Sequence, residues 1–163
     1  MKEVSINKNM HLSEHFTLGE VTKTSVKTAD GNIPSHVHIE NLKNLCENWL
    51  EELRENYNLI YEGVGDCKGD EPIIITSGYR SPEVNKAVGG APTSNHLTGC
   101  AVDIRCAGIE QAIRYACILL DISDGTKRDY DELFIERSKQ GRYWVHFAVR
   151  PKENRRKTAF IQT

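Results

Sequence analysis

The chain has no apolar run near the roughly 18 residues that a membrane-spanning helix requires. It has no Cys-x-x-Cys, no internal repeat and no excess of either charge. Against 23 Asp and Glu stand 21 Lys and Arg, for a net charge of -2. No strong field therefore draws it to nucleic acid or to an anionic membrane. Its five cysteines, Cys46, Cys67, Cys100, Cys106 and Cys117, are odd in number and unpaired in spacing. Reduced thiols are expected rather than a disulfide framework. No apolar segment follows Met1-Lys2-Glu3-Val4-Ser5, so no signal peptide is read and synthesis in the cytoplasm is expected. What remains is a chain of 163 residues with ordinary composition. That length suits one domain with its own core, and we expect a monomer.

The chemistry is concentrated in two stretches. Thr93-Ser94-Asn95-His96-Leu97-Thr98-Gly99-Cys100-Ala101-Val102-Asp103 sets an imidazole and a carboxylate seven residues apart, with a glycine between them. Both are ligand types suited to zinc. The run Ala101 to Ile104 reads as a short buried strand carrying Asp103, with His96 in the loop before it. Gly99 lets the backbone turn so that the two side chains converge. Strand alternation puts Cys100 opposite Asp103, so core packing is expected for the thiol.

Near the C-terminus, Tyr143-Trp144-Val145-His146-Phe147-Ala148-Val149 reads as a strand of aromatic and β-branched residues. Val145, Phe147 and Val149 share one face; Trp144, His146 and Ala148 share the other. Glu132 to Glu136 reads as the preceding strand, with Leu133 and Ile135 inward and a hairpin turn around Gly141. If Ile135 and Val145 share the apolar face, Glu136 and His146 share the opposite one. A direct cross-strand pair would set their Cβ atoms about 5 Å apart. Three ligands, an open fourth position and a nearby carboxylate base make the layout of a catalytic zinc site.

Ser94, His96, Gly99, Ala101 and Asp103, followed by Trp144-Val145-His146, resemble the D-alanyl-D-alanine carboxypeptidase family of zinc peptidases, which shares its metal site with the hedgehog signalling domain. Ile75-Thr76-Ser77-Gly78-Tyr79-Arg80-Ser81-Pro82-Glu83-Val84-Asn85 and His15-Phe16-Thr17-Leu18-Gly19-Glu20 add to the resemblance, which runs over roughly residues 15–150. It implies zinc held by His96, Asp103 and His146, with Arg80 contacting substrate. Many members place the catalytic acid in a Glu-x-x-His arrangement; Tyr143 stands at that position here. The hedgehog-like arrangement points instead to Glu136 at the end of the preceding strand. The implied substrate is a peptidoglycan stem peptide, cut by a D-Ala-D-Ala carboxypeptidase or an endolysin-type endopeptidase. The alternative is a cell-wall or peptide-binding module that keeps the zinc site and cleaves nothing. A wall hydrolase made without a leader suits phage-type release.

The rest of the chain frames these stretches. Residues 1–14 are polar and read as a loose arm, 15–151 as the peptidase domain, and 152–163 as an exposed basic tail. His36 and His38 lack an acidic or thiol partner and are not read as ligands. Glu40 to Tyr57 is an amphipathic helix through Leu42, Leu45, Cys46, Trp49, Leu50 and Leu53. Residues 62–72 read as a mobile surface loop whose acids lack the ordered spacing of a calcium site. Ile73-Ile74-Ile75 reads as a fully buried strand. Arg80 leaves its end near Asp103, where a guanidinium fork matches a peptide carboxylate. We place Arg80, Ser94 and Trp144 at the substrate and give Arg80 and Glu136 the catalytic work. Ile109 to Ile122 forms a second helix with Ala112, Ile113, Ala116, Cys117, Leu119 and Leu120 inward, ended by Asp124-Gly125. The order of elements implies an α+β fold, hedgehog/D-Ala-D-Ala carboxypeptidase-like, with helices on a mainly antiparallel sheet.

Overall fold

Three of the helices start where a side chain satisfies one of their first amides. Thr17 and Glu20 form a capping box on α1 (Leu18–Val21). Ser35 caps α2 (His36–Leu45): its hydroxyl accepts from the amide of His38, and His38 Nδ1 accepts in return from the amide of Ser35. That bond, and stacking of the His38 ring on Tyr79 at 5.0 Å, give His38 a structural occupation, as expected. One π turn, Cys46–Leu50, joins α2 to α3 (Glu51–Tyr61). The resulting rod, His36 to Tyr61, is about a turn longer at each end than the helix expected at Glu40 to Tyr57, and its start is set by the Ser35 cap. Ser81 caps the short α4 (Pro82–Ala87), with Pro82 at its first position.

The computed structural model describes residues 5–163. Its sheet has the order β1-β2-β4-β3-β5, built from β1 (Ile75–Ser77), β2 (Ala101–Cys106), β3 (Glu132–Arg137), β4 (Tyr143–Ala148) and β5 (Lys157–Gln162). The helix α5 (Ile109–Thr126) crosses between β2 and β3. Val102, Ile104, Leu133, Ile135, Val145 and Phe147 are buried on one face, where the core forms with α2, α3 and α5. Trp49 from the π turn meets Phe147 there, ring centroids 5.1 Å apart. The alternate residues of β2, β3 and β4 occupy the other face, and the candidate residues Asp103, Glu136 and His146 stand among them. Among the described residues no helix is long and apolar enough to cross a membrane.

Several expectations need correction. The fold is α+β, but the sheet is mixed rather than mainly antiparallel, because β5 lies parallel to β3. The residues of the supposed basic tail thus form an edge strand. Their side chains are mostly exposed, Phe160 by 74 %, so backbone pairing along the free edge of β3 recruits the strand without burying an apolar face. Residues 1–4 of the expected arm lie outside the described residues. Further along it, Leu12 is buried, and the amides of Leu18 and Gly19 donate to Met10 and Lys8 carbonyls at 2.8 Å each, so this stretch is packed down.

Ile73 and Ile75 are buried while Ile74 is 40 % exposed; β1 is an edge strand covered on one side only. The loop at 62–72 buries Cys67 and is tied to α3 through Asn58, whose side chain bonds both backbone groups of Glu71. The helix α5 runs through Asp124-Gly125 to Thr126. It turns Tyr115 and Ile118 inward where Ile113 and Cys117 were expected, the Tyr115 ring meeting Tyr57 edge-on at 4.9 Å.

Candidate metal and catalytic centre

The register of β2 against β4 sets Asp103 directly opposite His146. His96 arrives from a 3-10 turn, Asn95–Thr98, whose N-cap Ser94 accepts from the amide of His96. Gly99 ends that turn at φ 71, and a Cβ there would sit 2.5 Å from the carbonyl oxygen of His38. Only glycine lets the turn lie this close to α2. His96, Asp103 and His146 are all buried, and one ligand atom from each lies within 4.8 Å of the others. The three residues named from sequence therefore meet at one point.

Each imidazole has one nitrogen committed outward and one facing the point of convergence. His96 Nδ1 donates to the carbonyl of Gly78 at 2.7 Å, which leaves Nε2 facing Asp103 Oδ2 at 3.3 Å. His146 Nε2 donates to Glu132 Oε1 at 3.1 Å, while Nδ1 faces Asp103 Oδ1 at 3.0 Å. Burial would raise the Asp103 pKa, but the two imidazoles outweigh it and hold the carboxyl well below the usual range. Burial pushes His146 down, and its bonds to Asp103 and Glu132 outweigh that, lifting it to about 9. Asp103 thus draws positive charge into a buried site where two ring nitrogens and a carboxylate converge. Two nitrogens, one carboxylate and an outward partner on each imidazole fit a divalent ion such as zinc.

Glu136 lies on the same face as His146 but not opposite it. The β3/β4 register pairs Glu136 with Trp144 and Phe134 with His146, correcting the direct pair expected from alternation alone. Phe134 stacks on the His146 ring at 5.3 Å. The carboxylate of Glu136 accepts from the Trp144 indole N–H, so the residue assigned to substrate is engaged with the proposed base. Burial first, and then the charge of Asp103, raise the Glu136 pKa, which makes it a stronger base than a surface glutamate. Arg80 reaches in from the β1–α4 turn: Nη2 donates to Asp103 Oδ2 at 3.3 Å and Nε to Ser77 Oγ at 3.0 Å.

Ser94, Glu132, Phe134, Glu136 and His146 line a cleft of about 690 Å³. Cys100 is buried but lines this cleft as well, rather than packing into the core, because the bend at Gly99 sets it just before β2 begins. Burial raises its thiol pKa.

Sequence reasoning passed over Glu132 and what holds it. Asn95 donates to Glu132 Oε1 at 2.6 Å and to Asp131 Oδ2 at 2.8 Å. Asp131 is fully buried and takes a two-pronged bond from Arg155, Nε at 2.9 Å and Nη2 at 2.7 Å. The signal was present, since Glu132, Phe134 and Glu136 alternate onto one face of β3. A second cluster, Glu14, His15 and Glu51, is more exposed. There Glu51 accepts from Ser13 and His15 and clasps the N-terminal stretch to α3.

The profile of the family described as Peptidase M15 matches residues 14–124, more than half of the chain. That span includes His96 and Asp103 and stops before Glu132, Glu136 and His146. No curated protein matches the chain.

Proposed function

The chain belongs to the Peptidase M15 family, and we propose that it is a zinc-dependent peptidase cutting a peptide bond in peptidoglycan stem peptides at the cell wall. The bond is that of a D-Ala-D-Ala carboxypeptidase or of an endolysin-type endopeptidase. The observation that carries this reading is the convergence of His96, Asp103 and His146, all buried, at the wall of an open cleft that also holds Glu136. His96 Nε2, Asp103 and His146 Nδ1 would hold the zinc. Once bound, zinc would lower the pKa of a water toward neutrality and polarise the scissile carbonyl.

The protein's own groups do the rest. Glu136, its pKa raised by burial and by Asp103, takes the proton of the attacking water and returns it to the leaving amine. The Trp144 indole holds the Glu136 carboxylate in place. Arg80 has further N–H groups beyond its bond to Asp103, and these position a substrate carboxylate. Ser94, on the cleft wall, bonds the substrate backbone. Glu132 fixes the orientation of the His146 ring so that Nδ1 faces inward.

The test is zinc content by elemental analysis together with amine release from purified peptidoglycan, for wild type, His96→Ala and Glu136→Gln. Wild type is expected to hold one zinc and to cleave. His96→Ala should lose both, and Glu136→Gln should keep zinc and lose cleavage. Zinc in both wild type and Glu136→Gln with no amine released from any stem peptide would reject the enzyme in favour of a binding module.

A further inference from the structure

Beyond Trp144 the open face of the sheet continues into a second groove of about 850 Å³. Arg105, the register partner of Trp144, stands two residues past Asp103 on β2. At 3.3–3.4 Å per residue, its Cα lies about 7 Å from that of Asp103 along the strand. Lys23 and Arg142 also line the groove. Three cations thus gather at one end of the candidate active site.

Among the described residues, no aspartate or glutamate lines the groove. The chain as a whole carries 23 acidic residues against 21 Lys and Arg, so three cations without one acid is a local departure from balance. Ion pairs elsewhere engage Arg80, Arg114, Arg128, Arg150, Arg155 and Arg156, but none involves Lys23, Arg105 or Arg142 among the described residues. Arg105 and Arg142 bond through their backbones, the Arg105 amide to Ile74, the Arg142 amide to Ser138 Oγ and the Arg142 carbonyl to the Ser138 amide, and among the described residues neither side chain has a hydrogen-bond partner. All three side chains are exposed, and none has an ion-pair partner among the described residues.

We infer that this groove is a subsite for a carboxylate carried by the substrate peptide within about two residues of the scissile bond. The inference rests on the peptidase reading. What passes through a peptidase cleft is a polypeptide, and the anions of a polypeptide are carboxylates. Arginine's planar fork suits them. The spacing fits as well, since an extended peptide advances about 3.3 Å per residue. A side-chain carboxylate one or two residues from the cut would come level with Arg105. The cleft at the reacting centre mixes the two signs, Glu132 and Glu136 with Arg150, Arg155 and Lys157, whereas the described lining of the groove past Trp144 is cationic alone.

The test uses two synthetic stem peptides that differ only in whether their side-chain carboxylates are free or amidated. Binding is measured by calorimetry on zinc-loaded Glu136→Gln, alone and combined with Arg105→Ala, Arg142→Ala or both. The free-acid peptide is expected to bind about 5- to 25-fold tighter than the amide, as one or two partly exposed ion pairs would give. The preference should shrink in each arginine variant, vanish in the double variant and weaken with salt. Zinc affinity and circular dichroism should not change, because both side chains are exposed. An acid preference that survives the double substitution overturns the inference, as does equal binding of the two peptides. Equal binding combined with phosphate affinity that the double variant loses would assign the groove to a phosphate-bearing polymer instead. Cleavage of purified peptidoglycan by wild type is scored separately, so failure of the peptidase reading is distinguishable from failure of the subsite.

Discussion

Replacing Glu132 with alanine removes one acceptor and should weaken the metal site without unfolding the protein. The bond at stake runs from His146 Nε2 to Glu132 Oε1, 3.1 Å. A hydrogen bond to a charged group contributes about 1.5–3 kcal/mol. Loss of a carboxylate that orients a metal-binding histidine costs about 10- to 100-fold in metal affinity, or about 1.4–2.8 kcal/mol. The two scales agree because they describe one effect: without Glu132, the ring no longer has its Nε2 proton claimed and Nδ1 held inward. Asn95 keeps its bond to Asp131, which Arg155 grips, so the frame around the site should survive. Zinc affinity measured by competition with a chelator should therefore fall about 10- to 100-fold in Glu132→Ala. It should recover in large part in Glu132→Gln, whose amide oxygen still accepts from Nε2. Circular dichroism should match wild type in both. Zinc affinity in Glu132→Ala within twofold of wild type would refute the orienting role. So would wild-type zinc affinity in Glu132→Gln combined with complete loss of cleavage, which would make Glu132 the base.

Glu136→Gln should cut amine release from peptidoglycan by about 100-fold or more while zinc content stays at the wild-type level. Gly78→Ala should lower the denaturant midpoint by an amount worth about 1–3 kcal/mol. A Cβ there would meet the Val21 carbonyl oxygen at 2.1 Å, and the shift would move the carbonyl that holds His96, so zinc affinity should drop too. Gly125→Ala, in α5 with nothing within 4 Å of the added methyl, should instead stabilise by up to about 1 kcal/mol in the same titration. Asp131 is buried, which alone would raise its pKa, yet the Arg155 and Asn95 hydrogen bonds depress it from 3.8 to about 2. A depressed carboxyl contributes stability in full above its unfolded pKa and loses it as pH falls through the folded value. The stability gap between wild type and Asp131→Asn should therefore be constant above about pH 5 and close as pH falls from 3.8 toward 2 in acid unfolding.

The three proposed ligands were legible in the sequence because residue type and local period were enough to find them. An imidazole, a glycine and a strand carboxylate came in order, and alternation put His146 on the polar face of its own strand. The same rule placed Glu136 on that face. It could not supply the register, which pairs Glu136 with Trp144 rather than with His146. Register comes from how the hairpin closes and how the apolar faces pack, which are properties of two strands together. Glu132 went unnoticed for a related reason: its importance lies in a bond to a residue 14 positions away, made through a pairing that no local window contains. The strand at 157–162 is the plainest case of what only the fold decides. Its side chains are mostly exposed, and its apolar residues, Ala159-Phe160-Ile161, run together without the alternation of a half-buried strand. It exists because β3 has an open edge of amides and carbonyls to satisfy, and because its approach sets Arg155 on the buried Asp131. The sequence by itself determined which chemical groups are available and which face of its own strand each one takes. Only the tertiary structure decided which of them touch, because contact is set by backbone pairing and packing across the whole chain.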